Sequence, residues 1–239
     1  EKDLPMVTTY FIPAQAAEYY GYKNDISVIL TDTDISRAWV PMEPKKSKIK
    51  FYAPSRRVAE RLKRYGVIPE NIFLTGFPLP KENIGGMKYS VLKKDIAKRL
   101  VRLDPNRNYI DRMEDSIGDH LGELPKKDDK PVTVMFAVGG AGAQRRMART
   151  IVGSLQGLIR AGKVRLLLSA GSRGEVARYF KAAVKKINLE GELGKGVDVI
   201  FDRDKMKYFE LFNKALRETD VLWTKPSELS FYTGLGMPI

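Results

Sequence analysis

The sequence lacks several residue types on which protein chemistry often depends. Cysteine is absent from all 239 residues, which excludes disulfides and thiolate metal sites. Histidine occurs once, as His120 in a polar stretch, which argues against a multi-histidine metal site. We expect His120 to be a surface residue rather than a catalyst. The sequence thus predicts neither a bound metal nor a cofactor.

Long apolar runs are also missing. A membrane-spanning helix needs about 20 consecutive apolar residues, and no such run exists. The first residues carry no secretory signal pattern, so we expect a cytoplasmic protein. Hydrophobic residues nevertheless make up 43% of the chain, enough for the core of one large domain or two small ones.

Negative charge is scarce relative to positive charge. The chain has 42 Lys and Arg against 29 Asp and Glu, a formal net charge of +13. Such a field attracts nucleic acid, anionic lipid headgroups or phosphorylated substrates, or it serves solubility alone. Zinc-finger spacing, RNP-type aromatic motifs and a long basic tail are missing, so we predict no nucleic-acid partner.

Apolar segments typical of β-strands alternate along the chain with segments whose apolar residues recur at helical spacing. This alternation predicts an α/β fold of two Rossmann-like halves, with parallel sheets and flanking helices. We assign residues 1–80 to an N-terminal half, 81–130 to a helical linker or insertion, and 131–239 to a C-terminal half. The predictions to be tested include a strand over Leu4–Phe11 and helices over Ala14–Tyr20, Val91–Leu103, Tyr109–Leu121 and Arg145–Ile159.

A glycine-rich segment follows the apolar strand Val132–Val138. Gly139, Gly140 and Gly142 let a ligand approach the backbone, and the helix behind them offers its positive dipole end to a phosphate. The alternative is a tight turn that binds nothing. Arg145 stands where the dinucleotide fingerprint needs its third glycine, which argues against a nicotinamide or flavin cofactor.

Two further loops follow later strands of the same half. Ser169–Arg173 and Lys225–Ser230 are predicted to join Gly139–Gln144 at the carboxyl edge of one sheet, where they could hold one nucleotide. In the first half, Asp32 and Asp34 follow a predicted strand in the same way. Their carboxylates could bind sugar hydroxyls or a metal, or they could cap the next turn.

Five motifs in order resemble GT-B glycosyltransferases. The segments are similar to those of the family that contains the lipid II N-acetylglucosaminyltransferase and monogalactosyldiacylglycerol synthase (glycosyltransferase family 28-like). They are Val28–Asp34, Asn71–Pro78, Val138–Gln144, Asp220–Pro226 and Gly236–Pro238.

The resemblance implies metal-independent transfer of a sugar from a nucleotide-diphosphate sugar, a UDP-sugar above all, to a lipid or other hydroxyl acceptor. It implies an acceptor-side first half and a nucleotide-sugar-binding second half, with Gly139, Gly140 and Gly142 at the diphosphate. It leaves the catalytic base unassigned, with Asp32 and Asp34 as candidates. It also implies peripheral attachment to the anionic inner face of a membrane. The other implied donor-binding residues are Gln144, Ser169, Gly171, Met206, Lys225, Ser227 and Glu228.

The sequence departs from the family pattern in two places. Ser227 and Glu228 replace two glycines of the family's Lys-Pro-Gly-Gly segment. The N-terminal half is incomplete relative to a GT-B enzyme, and the second half ends before the family's last strand and helix, so we expect a fragment or a reduced homologue. A nucleotide-sugar epimerase of the same fold and a non-catalytic nucleotide-sugar-binding module remain alternatives.

Overall fold

The computed structural model describes residues 4–138, 144–224 and 229–239. The chain divides into two compact units, of which the first ends at Pro78 and the second begins at Leu79. Each unit contains a sheet of four parallel strands among its described residues, with helices packed against it. The α/β, Rossmann-like fold predicted from the alternating pattern is therefore confirmed.

The first unit places its strands in sequence order, β1-β2-β3-β4. Its elements are β1 (Met6–Thr8), α1 (Phe11–Tyr19), β2 (Ile26–Ile29), β3 (Lys50–Ala53), α2 (Arg56–Arg64) and β4 (Ile72–Leu74). Every neighbouring pair is parallel. The core lies where Val28 and Phe51 of the central strands meet Val58 and Leu62 of α2, all at most 1% exposed.

The first strand is shorter than predicted. Leu4–Phe11 was expected to be extended throughout, but β1 ends at Thr8 and α1 begins at Phe11. The Thr8 hydroxyl donates to the Tyr10 carbonyl and accepts from the Tyr10 amide, both at 3.1 Å, and this local turn competes with further strand pairing. Pro13 then lies inside the first turn of α1, where its missing amide costs no hydrogen bond.

The second unit contains four strands and seven α-helices among its described residues. Its elements are α3 (Lys81–Ile84), α4 (Ser90–Leu103), α5 (Glu114–Leu121), β5 (Val132–Ala137), α6 (Met147–Arg160), β6 (Val164–Gly171), α7 (Gly174–Lys186), β7 (Val197–Phe201), α8 (Lys205–Glu218), β8 (Val221–Thr224) and α9 (Leu229–Gly234).

The second sheet has the strand order β7-β6-β5-β8, so β5 pairs with strands on both sides. Its two faces carry separate cores. Phe136 and Leu168 pack with α6 and α7 on one face, whereas Met135, Leu167 and Leu222 pack with α8 and α9 on the other. Strands buried on both faces explain why β5 and β6 appear in the sequence as continuous apolar runs.

The helices predicted between the two halves lie within the second unit. Buried polar contacts hold α4 there. Arg99 is 4% exposed, and its guanidinium donates to the carbonyls of Thr219, Leu235 and Gly236 at 2.9, 3.2 and 2.9 Å. Burial lowers the pKa of Arg99, although the charge of Asp220 opposes this shift. An interior cation satisfied by three carbonyls fixes α4 against both the start of β8 and the C-terminal segment.

A buried carboxylate completes the same attachment. The Asp220 side chain is fully buried, accepts from the Thr133 amide at 2.8 Å and pairs with Arg102 at 3.2 Å. Burial raises the pKa of Asp220, while the Thr133 amide and the two arginines Arg102 and Arg99 oppose the shift. Arg102 also lies 3.5 Å from Asp128. These contacts tie the helical segment to the amino ends of β5 and β8.

The helix predicted over Tyr109–Leu121 is also shorter. A 3-10 turn at Asp111–Met113 precedes α5, which begins at Glu114. Both carboxylate oxygens of Asp104 accept backbone amides, from Asn108 at 3.0 Å and from the next two residues at 2.8 and 2.9 Å. Those amides cannot also serve a helix, so the loop persists to residue 110.

We predict that Arg99→Ala lowers the free energy of unfolding by about 2–4 kcal/mol, because three buried carbonyls lose a charged donor. Urea unfolding followed by far-ultraviolet circular dichroism measures the change. Arg160→Ala is the matched control, since exposed Arg160 donates at 3.1 Å to one exposed carbonyl of Asn188. The control should change stability by at most about 0.5 kcal/mol. Equal effects from the two variants would contradict the anchoring role of Arg99.

Candidate functional site

The carboxyl edge of the second sheet contains a topological switch point. The chain passes from β5 to β6 to β7 in one direction and then returns to β8 on the opposite side of β5. Helix α6, which follows β5, packs on one face of the sheet, and the segment after β8 packs on the other. Helices α6 and α9 therefore lie on opposite faces of the sheet, and in open α/β sheets ligands bind at the edge where the strand order reverses in this way.

The loop after β5 carries the predicted phosphate site. Gly139, Gly140 and Gly142 lie outside the described residues and stay predictions. Gln144 is exposed and has a φ of 63°, a left-handed backbone conformation that residues other than glycine seldom adopt. Its carbonyl accepts the Met147 amide at 2.9 Å, so a turn separates the glycine segment from α6.

Helix α6 starts two residues later than predicted. It begins at Met147 instead of Arg145, and the first amides of α6 are already bonded to carbonyls three residues back. The Ala148 and Arg149 amides each make such a bond at 3.2 Å. The row of aligned peptide dipoles therefore extends back through this turn, and its positive end lies at residues 144–146.

Three arginines surround this positive end. Arg145, Arg146 and Arg149 are exposed, and no acidic residue occupies the first turn of α6. The Arg145 guanidinium lies 5.9 Å from the centre of the Tyr179 ring, a cation–π contact that holds it against α7. Our sequence interpretation treated Arg145 only as a missing glycine. The three arginines in the run Gln144–Arg149 are the sequence feature that indicates a cationic surface here.

The tip of β6 holds two predicted site residues in different environments. Ser169 is 3% exposed, and its hydroxyl lies 2.9 Å from the Tyr208 hydroxyl, so it is already hydrogen-bonded inside the protein. Gly171 is half-buried with a φ of 66°, and a Cβ placed there would meet no atom of the described residues within 4 Å. Open space beside the backbone at Gly171, rather than the Ser169 hydroxyl, is what this tip offers to a ligand.

The tip of β7 leads into a capped helix. The Asp204 carboxylate accepts the amides of Met206 and Lys207 at 2.8 and 3.3 Å and so fixes the start of α8. Met206, a predicted site residue, is 71% exposed in the first turn, and Phe209 is 53% exposed one turn later. The tip of β7 therefore presents apolar side chains to solvent.

An exposed tryptophan, Trp223, lies near the end of β8. Trp223 is 47% exposed and pairs in register with Phe136 of β5, which places it on the α6 face of the sheet. The Thr224 hydroxyl donates to the Ala137 carbonyl at 3.4 Å across the switch point. Lys225, Ser227 and Glu228 lie outside the described residues and stay predictions. Sequence reasoning included Trp223 in a motif but assigned it no role.

The first unit holds the two candidate acids at its own carboxyl edge, after β2. Asp32 is exposed. Asp34 accepts the Ile35 amide at 2.9 Å through one oxygen and meets Arg57 and Arg61, each at 2.9 Å, through the other. Partial desolvation opposes the shift, but the Ile35 amide and the two arginines lower the pKa of Asp34. An ion-paired carboxylate with a lowered pKa is a weak proton acceptor, and the observed contacts are those of a turn cap.

Other functional groups lie apart from these edges. His120 is exposed on α5, with its ring Nδ1 2.8 Å from the Ser116 carbonyl oxygen. Among the described ranges, no three His, Asp or Glu side chains lie close enough together to hold a metal ion. No helix in the described part of the chain has the length and apolar character needed to cross a bilayer.

Comparison with known proteins gives matches to a family model and to solved structures. A family model described as a domain of unknown function (DUF6938) matches residues 124–193, less than a third of the chain. A solved structure, the S. aureus MnaA–UDP co-structure, matches with 14% identity and a TM-score of 0.49 over 98% of this chain and 54% of that one. The chain thus spans about half the length of that protein. No curated protein matches.

We predict that replacing both Arg57 and Arg61 with glutamine raises the pKa of Asp34 toward its ordinary value. The stability that the ion pairs supply is present above the ordinary pKa of a free aspartate and is lost as the pH falls through the lowered pKa. Carbon-detected NMR titration of the carboxyl group measures the shift. Arg64→Gln on the same helix is the control and should leave Asp34 unchanged. An Asp34 pKa that does not respond to the double substitution would show that the arginines do not set it.

Proposed function

We propose that the second unit binds a nucleoside diphosphate sugar, specifically a UDP-sugar, in a crevice between the tips of β5 and β8. The observation that carries the proposal is the strand order β7-β6-β5-β8, which reverses at β5 next to the glycine-rich segment. A reversal at this edge is where ligands of open α/β sheets bind. The remaining features of the edge match the two chemical parts of such a ligand.

The diphosphate would lie at the positive end of α6. Two negative charges are stabilised there by the dipole of the helix and its preceding turn, and by the guanidinium groups of Arg146 and Arg149. Neither arginine has an ion pair with another described residue. Gly139, Gly140 and Gly142 would bring backbone amides close to the phosphate oxygens.

The nucleoside would extend across the tips of β6 and β7. Neighbouring strands are about 4.8 Å apart, so the distance from β5 to β7 is roughly 10 Å, which a nucleoside can cover. The open backbone at Gly171 lies midway along this path, and exposed Met206 lies at its end. Exposed Trp223 offers a flat apolar surface on the other side of the switch point.

We propose glycosyl transfer to a lipid or other hydroxyl acceptor as the reaction. Stabilisation of the departing diphosphate is the main electrostatic task, and the cationic end of α6 supplies it. The acceptor hydroxyl needs a general base. Asp32 and Asp34 stay the candidates, and Asp34 is already ion-paired with Arg57 and Arg61. The net charge of +13 would favour contact with an anionic membrane surface.

An epimerase acting on the same donor is the second candidate, because it would use the same crevice for the nucleotide. The reactions differ in where the sugar goes. A transferase releases the nucleoside diphosphate and glycosylates an acceptor, an epimerase changes the sugar, and a binding module does neither. The products therefore separate the three possibilities.

We predict that UDP binds the protein at least tenfold more tightly than uridine, because the diphosphate contacts cationic groups. Replacing both Arg146 and Arg149 with glutamine should remove most of this difference and leave uridine binding unchanged. Titration calorimetry measures both ligands. Arg160→Gln is the matched control, since Arg160 occupies the last turn of the same helix. Equal binding of UDP and uridine would refute the proposed diphosphate site.

We further predict that incubation with a UDP-sugar and diacylglycerol vesicles yields UDP and a glycolipid in equimolar amounts. Mass spectrometry of the lipid fraction and chromatography of the nucleotides measure the products. An altered UDP-sugar without UDP release would favour the epimerase instead. UDP binding without any product would favour the binding module.

A further inference from the structure

Helix α4 has two faces with different surroundings. Arg99 and Arg102 anchor one face to the second sheet through the buried contacts described above, and Asp95 on the same face accepts from the Arg217 guanidinium of α8 at 2.8 Å. The other face does not meet the sheet. Its residues recur at the three- and four-residue spacing that brings side chains together on a helix surface. They are Ser90, Lys93, Lys94, Ala97 and Lys98.

This second face forms one wall of a cavity of about 560 Å³. The opposite wall is the end of α5 and the segment after it, which contribute Leu121, Glu123, Leu124 and Pro125. Small-molecule pockets commonly measure roughly 300–1,000 Å³, so the volume suits a small ligand. We call this space the lysine cleft.

The charge of the lysine cleft is one-sided. Lys88 precedes α4 and joins Lys93, Lys94 and Lys98, so that four lysines and a single acidic residue, Glu123, are among the residues that line the cavity. None of the four lysines makes an ion pair with another described residue. Like charges spaced four residues apart, such as Lys94 and Lys98, repel one another. A bound anion would relieve that repulsion.

The remaining residues that line the lysine cleft are mostly apolar. Ala97 is 4% exposed, and Leu121, Leu124 and Pro125 are half-buried at the same cavity. A freely solvated helix face would have its lysines pointing into water alone. Here they border an apolar surface that a purely inorganic anion would leave uncovered, so the chemistry fits a ligand with one anionic end and one apolar end.

We propose that the lysine cleft binds a phosphate ester whose apolar part lies against Leu121 and Leu124. Its ammonium groups contact the phosphate as point charges. The site is separate from the carboxyl edge of the second sheet and does not rest on the function proposed above. A soluble phosphate ester and a phospholipid headgroup share this chemistry, and the experiment distinguishes the two sources.

The first test is calorimetry with octyl phosphate below its micelle-forming concentration. We expect one molecule to bind per chain, at least tenfold more tightly than octyl glucoside, which has the same alkyl chain without the charge, and than inorganic phosphate. Replacing both Lys93 and Lys98 with glutamine should weaken octyl phosphate binding at least tenfold. Replacing them with arginine should preserve it, which separates charge from misfolding.

A matched control uses lysines on another helix. Replacing both Lys185 and Lys186, which are exposed in the last turn of α7, with glutamine should leave octyl phosphate binding unchanged. Octyl phosphate binding that equals octyl glucoside binding, or that falls equally in the control variant, would overturn the proposal. Binding of inorganic phosphate as tight as that of octyl phosphate would overturn its apolar half.

Vesicles then identify the source of the phosphate. Sedimentation with phosphatidylglycerol vesicles, but not with phosphatidylcholine vesicles, that is lost when Lys93 and Lys98 are replaced would assign the cleft to a lipid headgroup. Octyl phosphate binding without such sedimentation would assign it to a soluble phosphate ester. UDP binding should be unchanged in the Lys93 and Lys98 variants, so this proposal and the nucleotide site fail independently.

Discussion

The parallel pairing of β5 with strands on both sides is the constraint on which the second unit depends. Because β6 and β8 pair with opposite sides of β5, the connection from β5 to β6 and the connection from β7 to β8 cover opposite faces of the sheet. The strand order then reverses at β5, and in open α/β sheets the carboxyl edge at such a reversal is where ligands bind. The position of the nucleotide site that we propose rests on this pairing, and its proposed chemistry rests on the residues at the strand tips.

The opposite edge of the same sheet is closed by buried polar contacts. Asp220 at the start of β8 accepts the Thr133 amide at the start of β5, and Arg99 links α4 to the carbonyls of Leu235 and Gly236. Gly236 has a φ of 62°, and a Cβ there would lie 2.7 Å from the Cδ1 atom of Ile96 in α4, so both the backbone and the packing favour glycine. The amino edge of the sheet is thus fixed by interior charges, whereas exposed side chains such as those of Trp223 and Met206 lie at the carboxyl edge.

Hydrophobic patterning was sufficient to predict most of the fold, because buried strands and amphipathic helices have characteristic apolar periodicities in the sequence. The predicted element bounds were wrong where local side-chain hydrogen bonds compete with the helix or strand. Thr8 forms such bonds at the end of β1, and Asp104 accepts backbone amides at the start of the helix predicted over Tyr109–Leu121. For the site, topology could be predicted but side-chain environment could not. Nothing in the sequence indicates that the Ser169 hydroxyl contacts Tyr208, or that arginines at 57 and 61 reach back to Asp34.

The central claim is that a nucleoside diphosphate binds at the carboxyl edge of the second sheet and nowhere else on it. Backbone amide NMR of the full chain during titration with UDP tests this claim most directly. The account predicts chemical-shift changes centred on Val138, Gln144, Gly171 and Thr224 at the strand tips. Changes centred on Thr133 and the amino ends of the strands, or no changes at all, would contradict it.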